Sequence, residues 1–291
     1  MSLAATTVSD PSPAPSPRTR RAAMRSAVRR HPMATIGVVI LIVYALAALF
    51  GPLFVGDPLK TASGQTLTGP STEHPFGTDR FGRDIFTRAV ISARLDFVVG
   101  VVIAALAASV GSLIGVAAGY FGGVLDEVVM RITDVVLSFP GFVLALILVA
   151  TLGDSIPNVV VAVAVAYTPY FVRLTRARAL AEREREYVDA ATLAGNRRWR
   201  IAYRHVLPNS LAPALTQAAL VAGWAVLDVA GLAFLGIGIQ PPTAEWGVMV
   251  AEGADDVLTG AWWTALFPGA LIVSLALAFQ LIGDDLQGGK Q

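Results

Sequence analysis

Along the chain, long uncharged apolar runs alternate with short charged segments, and six windows are long enough to cross a bilayer, which takes about 20 mostly apolar residues. They are 34–55, 97–121, 135–152, 155–172, 210–237 and 257–283, and the fifth contains one acid, Asp228. The third and fourth are parted only by Gly153 and Asp154, with Pro157 just behind, so the pattern predicts a tight helical hairpin instead of one long span. Pro140, Pro157, Pro169, Pro213 and Pro268 are expected to kink or start helices, as is tolerated where neighbouring helices satisfy the freed carbonyls. The fold class that follows is all-α: a polytopic membrane protein with six transmembrane helices.

Composition agrees. With 55% hydrophobic and only 15% charged residues in 291, the chain falls well short of the charge of a soluble protein, about 25%. The absence of cysteine excludes disulfides, thiolate nucleophiles and cysteine-held metals, and three scattered histidines, His31, His74 and His205, form no metal-binding spacing. The net charge of +1 gives no reason to propose a nucleic acid partner.

The arginines set an expected orientation, because Lys and Arg collect on the cytosolic side. With the N-terminus inside, 17 of the 22 basic residues fall in cytosolic segments and five, Lys60, Arg80, Arg83, Arg88 and Arg94, remain outside. Both termini are therefore expected in the cytosol, and the basic segments there are expected to attract anionic membrane lipid. Domain organisation reads as a disordered basic tail (1–30), a first span with a long external loop (31–96), a five-helix core (97–286) with a cytosolic loop at 173–208, and a short tail (287–291).

The external loop ends in a segment, 74–94, with Asp79 and Arg83, Arg80 and Asp84, and Asp84 and Arg88 each four residues apart and an apolar stripe of Phe81, Ile85, Phe86 and Val90. This spacing predicts an amphipathic helix at the membrane surface. It is either a gate or docking edge, with Asp79, Arg83 and Asp84 as candidates, or a solvated lead-in to the second span. Trp246, Trp262 and Trp263 are expected to mark the outer interface beside an acidic surface of Glu245, Glu252, Asp255 and Asp256.

The loop at 173–208 is the most charged segment, with nine arginines and four acids, Glu182, Glu184, Glu186 and Asp189. Its periodicity predicts a helix over 174–194, with Arg178–Glu182 and Arg185–Asp189 pairs and a stop at Gly195, then a short helix over 197–206 before Leu207 and Pro208. Two short helices make a knob whose small residues Ala190 and Ala191, beside Tyr187, Val188 and Leu193, suit a partner's groove. Two features inside the spans keep two readings each. Asp228 lines a path or pairs across a subunit interface, or it is merely hydrated. Gly111, Gly115 and Gly119 allow close helix contact, within the bundle or with a second subunit.

The sequence Asp189-Ala190-Ala191, three residues, Gly195, nine residues, His205, Val206, Leu207, Pro208 resembles the E-A-A-x3-G-x9-I-x-L-P signature of ABC importer permeases, with Asp for Glu and His for Ile. G-T-D-R-F-G-R-D at 77–84, R-I-T-D-V-V-L-S-F-P at 131–140, L-D-V-A-G-L-A-F-L-G-I-G-I-Q-P-P-T-A-E-W-G at 227–247 and W-W-T-A-L-F-P-G at 262–269 resemble the C-subunit branch of the dipeptide and oligopeptide permeases. The resemblance covers about 29–286. It implies a type I ABC importer permease fold in a bacterial cytoplasmic membrane. It also implies a homologous B-type permease subunit as heterodimer partner, two ATPase domains and an external substrate-binding protein. In that family the loop containing Glu186, Tyr187, Asp189, Ala190, Ala191, Gly195, His205, Leu207 and Pro208 couples to the ATPases. The implied substrate is an oligopeptide or dipeptide; nickel and other small solutes also occur in this family.

The chain has no G-x-x-x-x-G-K-[ST] phosphate loop; its one Gly-Lys pair is Gly289 and Lys290. ATP and Mg are therefore expected in partner subunits, with no cofactor in this chain and no enzyme activity of its own. A stand-alone secondary transporter should show a coupling-ion site, often at broken helices in inverted repeats, and the sequence offers one intramembrane acid and no evident repeat. An intramembrane enzyme lacks a catalytic constellation.

Overall fold

The computed structural model describes residues 31–61 and 64–288, so the N-terminal tail with its six arginines, and Lys290, lie outside the described residues. Among the described residues ten helices follow in order: α1 (Pro32–Phe54), α2 (Ile85–Phe121), α3 (Gly123–Leu137), α4 (Gly141–Leu152), α5 (Ile156–Glu182), α6 (Glu186–Leu193), α7 (Arg198–Ile201), α8 (Leu207–Phe234), α9 (Trp246–Leu258) and α10 (Trp263–Gly288). A π turn, Ala202–Val206, joins α7 to α8 without a break, giving one helical rod, Arg198–Phe234.

The expected six crossings are present in outline. Helices α1, α2, α5, α10 and the Arg198–Phe234 rod are each long and apolar enough to cross a membrane, and α3 with α4 makes a sixth if taken as one span. The third window is not a straight helix over 135–152: α3 and α4 meet at a 91° bend. Pro140 is responsible, since it lacks an N–H and biases the residue before it away from helical geometry; it stands as the N-cap of α4. The predicted hairpin after it is found, with Gly153 at φ 93° ending α4 and the Ser155 side chain capping α5 at Asn158 N (3.3 Å). The window at 257–283 likewise splits into α9 and α10.

Helices α2 and α5 form the closest pair, along the glycine seam. A Cβ on Gly111 would lie 2.6 Å from Phe171 Cβ, one on Gly115 2.5 Å from the Val172 carbonyl, and one on Gly119 2.7 Å from the Arg176 carbonyl. The seam is thus used within the bundle, where it lets two backbones approach directly. Helix α1 is fixed to α10 by a 2.6 Å hydrogen bond shared between Tyr44 and Ser274 and by a 2.7 Å contact between His31 and Asp285 at their common end. At 37 residues, α2 is about 55 Å long against a hydrocarbon layer of about 30 Å. Its polar first turns therefore have room to stand beyond the apolar layer.

The molecule has two unlike ends. Residues 183–206 make the basic end; residues 55–84 and α9 make the opposite end.

Candidate functional site

At the opposite end, the sequence-predicted helix over 74–94 begins only at Ile85. Gly77 and Gly82 have φ of 74° and 72°, and Asp84 leaves the preceding chain to cap Thr87 N at 2.7 Å. Isolated β-bridges, Thr61 to Arg83 and Thr78 to Asp84, hold the loop instead. Of the three expected i, i+4 pairs only Asp79–Arg83 forms, at 2.5 Å. Arg80 reaches Asp256 at 3.1 Å and Asp255 at 3.6 Å, Asp84 takes His74 at 3.0 Å, and Arg83 and Arg88 converge on Glu252 at 2.8 and 3.0 Å. Phe81 is exposed and does not join an apolar stripe.

These ion pairs clamp the loop onto α9. Burial works against the Arg80 charge, but Asp256 and Asp255 hold its guanidinium above the ordinary arginine value. Arg88 is fully buried and keeps its Nε and one Nη without a hydrogen bond, so Glu252 is its essential counter-charge. Asp79, Arg83 and Asp84 are thus committed to partners inside the chain. The acidic surface expected around Glu245 is also corrected: Glu245 is fully buried, Asp256 is buried and Glu252 largely so, leaving Asp255 exposed. Trp246 is not at the interface but in the core, its indole N–H donating to the Ala89 carbonyl at 3.0 Å. Trp262 is half-exposed, and Trp263 donates to the Thr78 carbonyl at 3.2 Å.

The basic end is built differently. The helix expected over 174–194 breaks at 183–185, where α5 stops and α6 begins. Neither Arg178–Glu182 nor Arg185–Asp189 pairs; Glu182 instead accepts the Tyr187 hydroxyl at 2.9 Å, and Arg183 pairs with Glu184. Burial, with Glu182 behind it, pushes the Tyr187 phenol above its ordinary value. Gly195, at φ 77°, ends α6 as expected; its N–H donates to the Thr192 carbonyl (3.0 Å) and that of Asn196 to the Ala191 carbonyl (3.2 Å). Val188, Ile201, Ala202 and Val206 anchor the knob against Val116, Tyr120 and Ala179. Its outer face is left bare by the described residues: Leu193 is 89% and Trp199 55% exposed, and Glu186, Asp189, Ala190 and Gly195 are exposed with them. His205 lies in the π turn; Leu207 and Pro208 do not terminate a short helix but continue the rod as the first residues of α8.

Asp228 lies on α8 inside the membrane bundle. Its Oδ2 accepts the Tyr167 hydroxyl of α5 at 2.8 Å, and Trp224, one turn earlier, stacks on the Tyr167 ring at 6.2 Å.

Comparison with known sequences decides the family. Residues 111–286 match the binding-protein-dependent transport system inner membrane component family, and residues 21–70 match the N-terminal transmembrane domain of oligopeptide transport permease C. The chain belongs to this family of transport permeases. It is 42% identical over 261 residues to the dipeptide transport system permease protein DppC of Alkalihalophilus pseudofirmus, covering 89% of this chain and 86% of the relative. It is 41% identical over 272 residues, 91% of each, to the probable D,D-dipeptide transport system permease protein DdpC of Escherichia coli. The glutathione transport system permease protein GsiD of Pectobacterium atrosepticum is 36% identical over 264 residues, 90% of this chain and 87% of the relative.

Sequence reasoning singled out the knob residues, which the structure places in and beside α6, the π turn and the start of α8, but missed the clamp centred on Glu252 and the Tyr167–Trp224 wall beside Asp228. The clamp's signal was present in excess charge on both sides, three arginines at 80–88 and four acids at 245–256. Their sequence separation concealed the match.

Proposed function

We propose that this permease forms one half of a translocation path for dipeptides or short oligopeptides, beside a homologous B-type permease subunit. It receives substrate from an external binding protein and is driven by two ATPase domains in the cytosol. The relatives' dipeptide and glutathione transport names support a peptide substrate. The arginine count supports placing the basic end and both termini in the cytosol of a bacterial inner membrane.

The observation that carries the reading is the bare knob joined to an unbroken rod. Exposed Leu193, Ala190 and Trp199 have the character of an interface core, with arginines at the rim. From the knob, the Arg198–Phe234 rod runs through the membrane to the external side. When the ATPase domains close on ATP they draw the knob sideways; a continuous helix transmits that displacement to its far end without loss in a flexible joint. The path then opens to one side at a time, and the ATP and Mg stay in the partner subunits.

Reconstitution into liposomes tests this. Uptake of labelled alanyl-alanine is expected only when the B-type permease, the ATPase subunits and the loaded binding protein are all present. Uptake by this chain alone, driven by an ion gradient, would contradict the proposal.

A further inference from the structure

The geometry points to Asp228 as the acceptor, with Tyr167 and Trp224, for the α-ammonium group of a peptide in transit. This inference rests on the peptide-permease reading and adds the chemistry of one site on its path.

A carboxylate in a membrane span is costly unless it faces water, a counter-charge or both. Among the described residues no cation lies within salt-bridge distance of Asp228. Its side-chain partner among the described residues is a neutral one: Tyr167 donates to Oδ2. Oδ1 is left able to accept from outside the chain. The residue is half-buried, and Leu227 beside it in sequence (41% exposed) and Tyr170 (43%), whose ring meets that of Tyr167, are exposed in this chain. With six residues to the end of the rod at Phe234, Asp228 sits about 9 Å in from its external end, within reach of a solute entering from that side.

The surroundings select the kind of cation. Tyr167 stacks with Trp224 at 6.2 Å and 24° and meets Tyr170 at 6.1 Å and 40°. Aromatic faces beside one carboxylate oxygen suit a compact ammonium, which gains both ion pairing and attraction to the ring quadrupoles. A weak, open site fits transport, since the peptide must leave again. Because Asp228 rides on the same rod as the knob, a movement of the rod shifts this carboxylate relative to Tyr167 on α5.

The cysteine-free sequence makes a direct test simple. In the assembled complex, Leu227→Cys places this chain's single thiol beside Asp228. Millimolar alanyl-alanine is expected to slow its reaction with a small maleimide at least fivefold, N-acetyl-alanyl-alanine to leave it unchanged, and Asp228→Asn to abolish the protection while Asp228→Glu keeps part of it. Tyr167→Phe, which keeps the ring and the charge, is expected to raise the half-protecting peptide concentration about threefold. Equal protection by both peptides, or by neither, overturns the inference. So does a thiol that labels in the isolated chain but is masked in the complex without peptide, because that places a partner-subunit group over Asp228. Absence of alanyl-alanine uptake by the fully reconstituted parent complex instead defeats the peptide reading itself, and uptake without protection defeats the ammonium site alone.

Discussion

The two ends of the permease carry similar charged residue types and use them in opposite ways. At the clamped end, Arg80, Arg83 and Arg88 pair with Asp79, Glu252, Asp255 and Asp256, and the result is a closed clamp between the loop and α9. At the basic end, the arginines and acids of 183–204 make a single in-chain ion pair among the described residues, Arg183–Glu184, while Leu193 and Trp199 stay exposed. Charge satisfied internally stabilises one chain; charge and apolar surface left open await another. Density of charged residues therefore says little about an interface until the partners are known.

The contrast is most severely tested by breaking the clamp. Glu252→Leu leaves Arg88 fully buried without its counter-charge and is expected to destabilise the permease by about 3–5 kcal/mol, read as thermal unfolding in detergent. A loss no larger than that of a surface substitution would remove the distinction between the ends. Between them lies the α2–α5 seam. Gly115→Ala sets a Cβ 2.5 Å from the Val172 carbonyl, and the forced backbone shift is expected to cost about 1–3 kcal/mol in the same assay.

A smaller, pH-dependent effect is expected at Glu245. Burial holds this carboxyl above its ordinary value of 4.5, opposed by hydrogen bonds from its neighbours. Its folded form prefers the proton, so its contribution is fully present at acid pH and is lost as pH rises above 4.5 through the raised value. Glu245→Gln should flatten that part of the stability profile; an unchanged slope assigns it to other groups. The smallest effect belongs to the knob. Leu193→Glu and Trp199→Ala alter exposed side chains and are expected to change stability by no more than about 0.5 kcal/mol, yet to abolish ATP hydrolysis stimulated by the loaded binding protein. Loss of folding in either variant would make the knob part of the core.

Six crossings, the hairpin at Gly153 and the stop at Gly195 could be read from the sequence because each depends on local physics: uncharged length, a left-handed backbone position, a cap. What escaped depends on distant partners. Arg80 and Asp84 are four apart and look like a helical pair, but Arg80 finds Asp256, 176 residues away, and Asp84 is used as a cap. Glu245 and Trp246 read as interfacial from their residue types, and they are buried because α9 folds back on α2, with the Trp246 N–H meeting Asp96 at 3.4 Å. At 206–208, Pro208 looks like a helix end; the π turn before it lets the rod run on. The knob itself was legible since none of the described residues covers its outer face.

Because the chain has no cysteine, one measurement addresses the coupling claim directly. Ala190→Cys on the knob and Ser71→Cys on the loop at the clamped end, both at exposed positions, are each treated with a short bifunctional cross-linker in the assembled transporter. The Ala190→Cys thiol is expected to capture an ATPase subunit, with a yield that changes on adding ATP, and the Ser71→Cys thiol to capture none. An ATPase subunit captured from Ser71→Cys and not from Ala190→Cys would contradict the coupling claim.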